Sequence, residues 1–99
     1  MISKICPRYY RRYISLPLLG PILNEFTMWL HKRGYIANSI ARSLLDSVRI
    51  DRFLHRHGAQ HLGDITQKLL DRVCCYYLSR QPHIPSTVRQ VKKFLKETR

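Results

Sequence analysis

The sequence has 99 residues, of which 44% are hydrophobic, and this length and composition suit one globular domain and argue against wholesale disorder. Eighteen Lys and Arg residues against six Asp and Glu residues give a net charge of +12, which favours nucleic acid as the partner over a membrane surface or an acidic protein. The three cysteines, two of them adjacent, make no disulfide framework, and no apolar run approaches the roughly 20 residues of a membrane span, so we expect a cytoplasmic protein without membrane contacts.

Residues 1–15 are predicted to form a basic and aromatic arm ahead of the domain at residues 16–99. Tyrosines and arginines adjoin in this arm, at Tyr9, Tyr10, Tyr13, Arg8, Arg11 and Arg12. Such a segment can stack on bases or lie along a phosphate backbone, and it can equally fold back onto the helices as a strap. Both roles stay open.

The first predicted helix covers about residues 17–33, where apolar residues recur at three- and four-residue spacing. Gly34 is the residue type that usually ends a helix. The second predicted helix begins after Asn38 as its N-cap, runs to about His57, and is ended by Gly58.

The second predicted helix has an apolar face and a basic face. On a helical wheel the apolar side holds Ile40, Leu44, Ser47, Ile50 and Leu54. The opposite side, within roughly 80°, holds Arg42, Arg49, Arg52 and Arg56, with Asn38 among them. No acidic residue alternates with these arginines, so we interpret the stripe as a DNA contact, with a merely solvated face as the alternative.

Two further helices are predicted. The third begins near Thr66 and ends near Arg80, with an apolar face of Leu69, Leu70, Val73, Tyr76 and Tyr77. The fourth is capped by Ser86 or Thr87, and its apolar positions are Val88, Val91, Phe94 and Leu95. Its opposite arc of roughly 100° carries Arg89, Lys92, Lys93 and Lys96. Because no alternating strand pattern occurs, we predict an all-α domain of four helices.

The sequence contains no recognisable catalytic or metal-binding motif. His55, His57 and His61 match no zinc spacing, and the adjacent Cys74 and Cys75 lack the gap that lets paired thiolates chelate. Cys74 has no assignable base, and there is no Gly-rich phosphate loop. We therefore expect no catalytic residue, cofactor, metal or small-molecule substrate in this chain.

The joint between the first two predicted helices resembles that of the N-terminal core-binding domain of tyrosine recombinases, which include phage integrases and Xer-type recombinases. The residues that carry this likeness are Gly34-Tyr35-Ile36-Ala37-Asn38-Ser39-Ile40, then Phe53-Leu54 and Gly58, Leu62-Gly63-Asp64-Ile65-Thr66, and Ser86-Thr87-Val88-Arg89-Gln90-Val91-Lys92-Lys93-Phe94-Leu95. The match covers about residues 18–98. Departures are Ile36 for a small polar residue, Ser39 for Thr, and Ser43 for an aromatic residue.

The resemblance implies a four-helix SAM-like orthogonal bundle that clamps a half-site of double-stranded DNA during integration and recombination. In that family the second and fourth helices approach the major groove, protomers touch one another on DNA, and the catalytic residues belong to a separate domain that this chain lacks. The predicted DNA contacts are Asn38, Ser39, Arg42, Arg49, Arg52, Arg56, Ser86, Thr87, Arg89, Lys92, Lys93 and Lys96.

Two other functions compete with a recombinase module. A helix-turn-helix regulator would use residues 34–39 as its turn and the second helix for recognition, and it would dimerise on a palindrome. A basic protein-interaction bundle would use Trp29, Tyr76 and Tyr77 as a groove for a partner, and it would keep its function when the arginine stripe is neutralised.

Overall fold

A computed structural model describes residues 2–98, and all regular secondary structure in that range is helical. The α-helices are α1 (Ile2–Ile5), α2 (Tyr10–Ile14), α3 (Gly20–Lys32), α4 (Ala37–Arg56), α5 (Gln67–Tyr77) and α6 (His83–Thr98), and short 3-10 helices span Pro7–Tyr9 and Leu62–Asp64. The all-α class predicted from the sequence is confirmed. The four predicted helices correspond to α3–α6, and two short helices precede them.

Two glycines end the helices that they were predicted to end. Gly34 has a φ of +92° and Gly58 a φ of +97°, a backbone conformation that residues with a Cβ rarely adopt. After α3, the Gly34 N–H donates to the His31 carbonyl at 3.0 Å and the Tyr35 N–H to the Leu30 carbonyl at 3.2 Å. These paired bonds satisfy carbonyls that the end of a helix leaves open.

The start of α4 differs from the prediction. Ile36 is the N-cap, with extended backbone, and the Ile40 N–H donates to its carbonyl at 3.1 Å. Asn38 therefore lies inside the first turn, and assigning it as the N-cap was wrong. The cap position has no side-chain hydrogen bond, so hydrophobic burial further along the helix is what stabilises it.

The start of α6 also lies earlier than predicted. The helix begins at His83, three residues before Ser86, so neither Ser86 nor Thr87 caps it. Pro85 is tolerated there because the N–H groups of a first helical turn have no partner within the helix. The third helix was predicted to begin near Thr66, and Thr66 is the N-cap of α5, since its hydroxyl oxygen accepts the Leu69 N–H at 3.1 Å.

The core lies where the apolar faces of α3, α4, α5 and α6 meet. The predicted apolar positions of α4 are all buried: Ile40, Leu44, Ser47, Ile50 and Leu54. Phe94 of α6 has its ring centroid 5.2 Å from Phe26 and 5.6 Å from Trp29, both on α3. These aromatic contacts join the last helix to the first long one.

Asp51 fixes the chain ahead of α3 to the middle of α4. Its carboxylate is buried, and Oδ2 accepts the N–H of Leu18 at 3.0 Å and of Leu19 at 2.7 Å. Because these two N–H groups belong to the turn before α3, they have no helical partner. The carboxylate of Asp51 therefore supplies what a capping residue in the local sequence would otherwise supply.

The predicted arm folds back onto the domain instead of extending from it. Ile2 and Tyr13 are buried, and the Ile2 N–H donates to Asn24 Oδ1 of α3 at 3.1 Å. Two roles were left open for the tyrosines of the arm, contact with nucleic acid and packing back onto the helices, and Tyr13 has the second. Tyr9 remains 52% exposed and free to contact a ligand.

We expect Gly20→Ala to destabilise the protein by about 1–3 kcal/mol, the usual cost of overpacking. A Cβ on Gly20 would lie 2.9 Å from the carbonyl carbon of Ile14 and still closer to its oxygen. Elsewhere in a helix the same change stabilises by up to about 1 kcal/mol, so the sign of the effect is diagnostic. Urea unfolding measures it. Gly63→Ala is the control, since its Cβ would meet the exposed His61 ring, and wild-type stability in Gly20→Ala would contradict the close approach.

Candidate nucleic-acid interface

The arginine stripe of α4 is exposed along its whole length. Arg42, Arg49, Arg52 and Arg56 all face solvent. Within residues 2–98 none of their guanidinium groups forms a hydrogen bond or an ion pair. These charges are therefore available to an anionic ligand.

The carboxylates of the chain are mostly engaged within it. Asp46 and Asp51 are buried, and Asp64 accepts the Gln60 N–H at 2.9 Å, which lowers the pKa of its carboxyl. Asp71 pairs with Lys92. Glu97 pairs with Arg33, and this hydrogen bonding lowers the pKa of the Glu97 carboxyl. Little negative charge is left to compensate the α4 stripe.

Three adjoining clefts connect α4 with α6. The α2–α4 cleft lies between the N-terminal segment and α4, the α4–α6 cleft lies between the N-terminal halves of those helices, and the third lies between the end of α3 and α6. Arg42, Asp46 and His83 line both of the first two, and Tyr35, Ser86 and Gln90 line both of the last two. Asp46 is the one carboxylate among the described residues that line them.

Eight of the twelve predicted contact residues line these clefts and are exposed. We call this set the basic surface, and it consists of Asn38, Ser39, Arg42, Arg49, Arg52, Ser86, Arg89 and Lys93. The structure thus brings residues more than 40 positions apart in the chain onto one side of the molecule.

The other four predicted residues lie differently. Arg56 and Lys96 are exposed but line none of the three clefts. Lys92 turns toward α5 and pairs with Asp71. The helical wheel placed it among the free cations of α6, and that placement was wrong. Thr87 is buried and its hydroxyl donates to Asp46 Oδ2 at 2.7 Å, which leaves it no room to contact a ligand.

A polar seam joins α4 to α6 beneath the basic surface. Asp46 accepts from Thr87 through Oδ2, and its Oδ1 lies 2.9 Å from His83 Nδ1. Close by, the Ser43 hydroxyl donates to Gln90 Oε1 at 2.8 Å. Buried hydrogen-bonded networks of this kind hold packed elements in one arrangement. The seam therefore sets the spacing between the cations of α4 and those of α6.

Sequence reasoning missed the seam and the part of His83 in it. Asp46 lies in the sequence next to Ser47, which belongs to the buried face of α4. The spacing of residues within α4 does not show that Asp46 contacts His83 or Thr87 of α6. The available signal was an acidic residue beside the apolar face of a strongly basic helix, which usually indicates a buried partner.

Arg33 is exposed, but its charge is paired within the chain. Its Nη2 lies 2.7 and 2.6 Å from the two carboxylate oxygens of Glu97, and its guanidinium carbon lies 4.3 Å from the centre of the Trp29 ring. Trp29 also packs on Phe26 and Phe94. Arg33 is consequently committed to joining α3 to α6.

Within residues 2–98 no three His, Cys, Asp or Glu side chains come together in a way that could hold a metal ion. Burial raises the pKa of the Cys74 thiol, which keeps it protonated near neutral pH. In the same part of the chain, no helix has the length and apolar character needed to cross a bilayer.

Comparison of this chain with protein-family models, with curated proteins and with solved structures found no match.

Proposed function

We propose that this chain binds double-stranded DNA through the basic surface. The observation that carries the proposal is the contiguity of unpaired cations across α4 and α6, at Arg42, Arg49 and Arg52 on one helix and Arg89 and Lys93 on the other. An exposed α-helix fits the major groove of B-form DNA, and neighbouring cations then reach the phosphates on either side.

The resemblance to tyrosine recombinases supports a more specific role. In this proposal α3–α6 are the four-helix SAM-like bundle of a core-binding module, and the module holds one half-site while a separate domain cuts and rejoins the strands. The second and fourth helices of that bundle are α4 and α6, which carry the basic surface. The chain itself supplies binding and register, possesses no catalytic role, and touches other protomers on DNA.

The test is a double variant, Arg42→Ala with Arg49→Ala, assayed by fluorescence anisotropy on a labelled duplex at two salt concentrations. We expect an affinity loss of about tenfold or more, and a log–log salt slope that is smaller by about 2, because two phosphate contacts are removed. Both side chains are exposed, so the fold should be unchanged.

A matched control removes the same charge from another side of the molecule. Lys68 and Arg72 are exposed on α5 and line none of the three clefts. Lys68→Ala with Arg72→Ala should change affinity by less than about threefold. Wild-type affinity and slope in the Arg42 and Arg49 double variant, or equal losses in both double variants, would contradict the proposed surface.

The stoichiometry on DNA separates the recombinase module from a helix-turn-helix regulator. A core-binding module should sediment as a monomer on a single half-site, whereas a regulator should form a dimer on a palindrome. Sedimentation of the complex on a duplex with one half-site, and of the complex on a palindromic duplex, distinguishes the two.

A further inference from the structure

The α2–α4 cleft has features that binding to a paired duplex does not explain. It has a volume of about 770 Å³, within the range of pockets that hold small organic ligands. Its lining includes the aromatic Tyr9 of the N-terminal segment and the apolar Leu45 and Val48 of α4. A contact to phosphates alone would require neither aromatic nor apolar lining.

Tyr9 is held in position but open to a ligand. Its ring makes an edge-on contact with Tyr13, with centroids 6.5 Å apart and planes at 60°. Tyr13 is itself buried, and burial raises the pKa of its phenol. Tyr9 is nevertheless 52% exposed, which suits its ring to stack on a flat partner.

Leu45 is an apolar side chain exposed within the arginine stripe. It is 58% exposed, and Arg42, Arg49 and Arg52 line the same cleft around it. Its place on α4 puts it where a cation would continue the stripe. An apolar contact surrounded by guanidinium groups fits a ligand that has both an apolar face and an anionic group.

The cleft also holds a further unpaired charge. Arg12 adds a fourth guanidinium to those of α4, and within residues 2–98 it forms no ion pair. Gln81 lines the cleft as well, and its Oε1 is buried without a hydrogen-bond partner among the described residues. Both oxygens of Asp46, the carboxylate in the lining, are already engaged, which limits its repulsion of an anion.

We propose that the α2–α4 cleft accepts a single unstacked nucleotide of a DNA strand. The base lies against Tyr9 and Leu45, and the phosphate lies among Arg12, Arg42 and Arg49. A paired and stacked base cannot present its face to Tyr9, so the cleft distinguishes a strand that has left the duplex from one that remains in it. The inference rests on the proposed DNA binding and adds a second mode of recognition to it.

The test uses 2′-deoxyadenosine 5′-monophosphate as the probe and 2-deoxyribose 5-phosphate as a ligand of the same charge that lacks a base. Titration of the ¹⁵N-labelled full chain should shift the amide signals of Tyr9, Leu45 and Gln81. We expect the nucleotide to bind at least about fivefold more tightly than the sugar phosphate, the low end of base–aromatic stacking.

Two variants test whether the α2–α4 cleft causes the preference for the nucleotide over the sugar phosphate. Tyr9→Ala should lose the preference for the nucleotide over the sugar phosphate, and Tyr76→Ala, which truncates a comparably exposed tyrosine on α5 outside the cleft, should keep it. Equal affinities for the two ligands in the wild type, or an unchanged preference in Tyr9→Ala, would overturn the proposal.

Failure of this inference differs from failure of the proposed function. If the wild type shows no preference for the nucleotide but binds duplex normally, the proposed nucleotide site in the α2–α4 cleft is wrong and the proposed duplex binding by the basic surface stands. Nucleotide binding that depends on Tyr9 in a chain without affinity for any duplex supports the cleft and overturns the duplex-binding role.

Discussion

Asp51→Ala is expected to lower the free energy of unfolding by about 3 kcal/mol or more, since each buried donor left without an acceptor costs about 1–3 kcal/mol. The carboxylate of Asp51 is the acceptor for two such donors, the N–H groups of Leu18 and Leu19. Both of these leucines are buried, so water cannot replace the lost oxygen without opening the core. Domains of this size have about 5–15 kcal/mol in total, and the variant should be close to unfolded at moderate denaturant.

Chemical denaturation followed by circular dichroism measures this effect. Asp71→Ala is the matched control because Asp71 is exposed and pairs on the surface, and we expect it to cost less than about 1 kcal/mol. Asp51→Asn retains one oxygen and should lie between the two. A loss from Asp51→Ala no larger than that from Asp71→Ala would show that the turn before α3 is held by other contacts.

Phe94→Ala is expected to cost about 3–5 kcal/mol, the range observed for truncating a buried phenylalanine. Phe94 is fully buried, and its ring contacts Phe26 and Trp29 of α3 edge-on. The substitution removes these contacts and leaves a cavity between α3 and α6. Because α6 carries Arg89 and Lys93, the proposed DNA binding should also weaken where the variant is partly unfolded.

Phe94→Leu serves as the graded control, because it keeps an apolar group of similar volume and should cost less than Phe94→Ala. Urea unfolding monitored by Trp29 fluorescence reports directly on the contact, since Trp29 is the single tryptophan. If Phe94→Ala were as stable as the wild type, the packing of α6 on α3 would contribute little to the fold.

The sequence was sufficient to predict the four long helices because each buries one face. The spacing of Ile40, Leu44, Ile50 and Leu54 identified the buried side of α4, and Gly34 and Gly58 marked two helix ends. The short helices α1 and α2 span too few residues for a periodic pattern to develop. The packing of α2 against the start of α3 depends on Gly20, which lets the Ile14 carbonyl approach closely, and a single sequence does not reveal this contact.

In the candidate site, too, the features set within one helix could be predicted from the sequence, and those set by packing between helices could not. Exposure of the α4 arginines follows from the position of its buried face, and the wheel predicted it. The orientations of Lys92 and Thr87 depend on how α6 docks against α5 and α4, and so does the engagement of His83 with Asp46. Tyr9 and Leu45 come together only through tertiary packing, so the α2–α4 cleft has no counterpart in local sequence.

The contact of Phe94 with Phe26 also has a consequence for synthesis on the ribosome. The two residues are separated by most of the chain, and the apolar face of α3 lacks this aromatic partner until α6 has been made. A nascent chain that ends before residue 94 would therefore expose Phe26 and Trp29 to water and to chaperones. We expect stable folding to begin only after α6 has emerged from the exit tunnel, in one late step and not helix by helix.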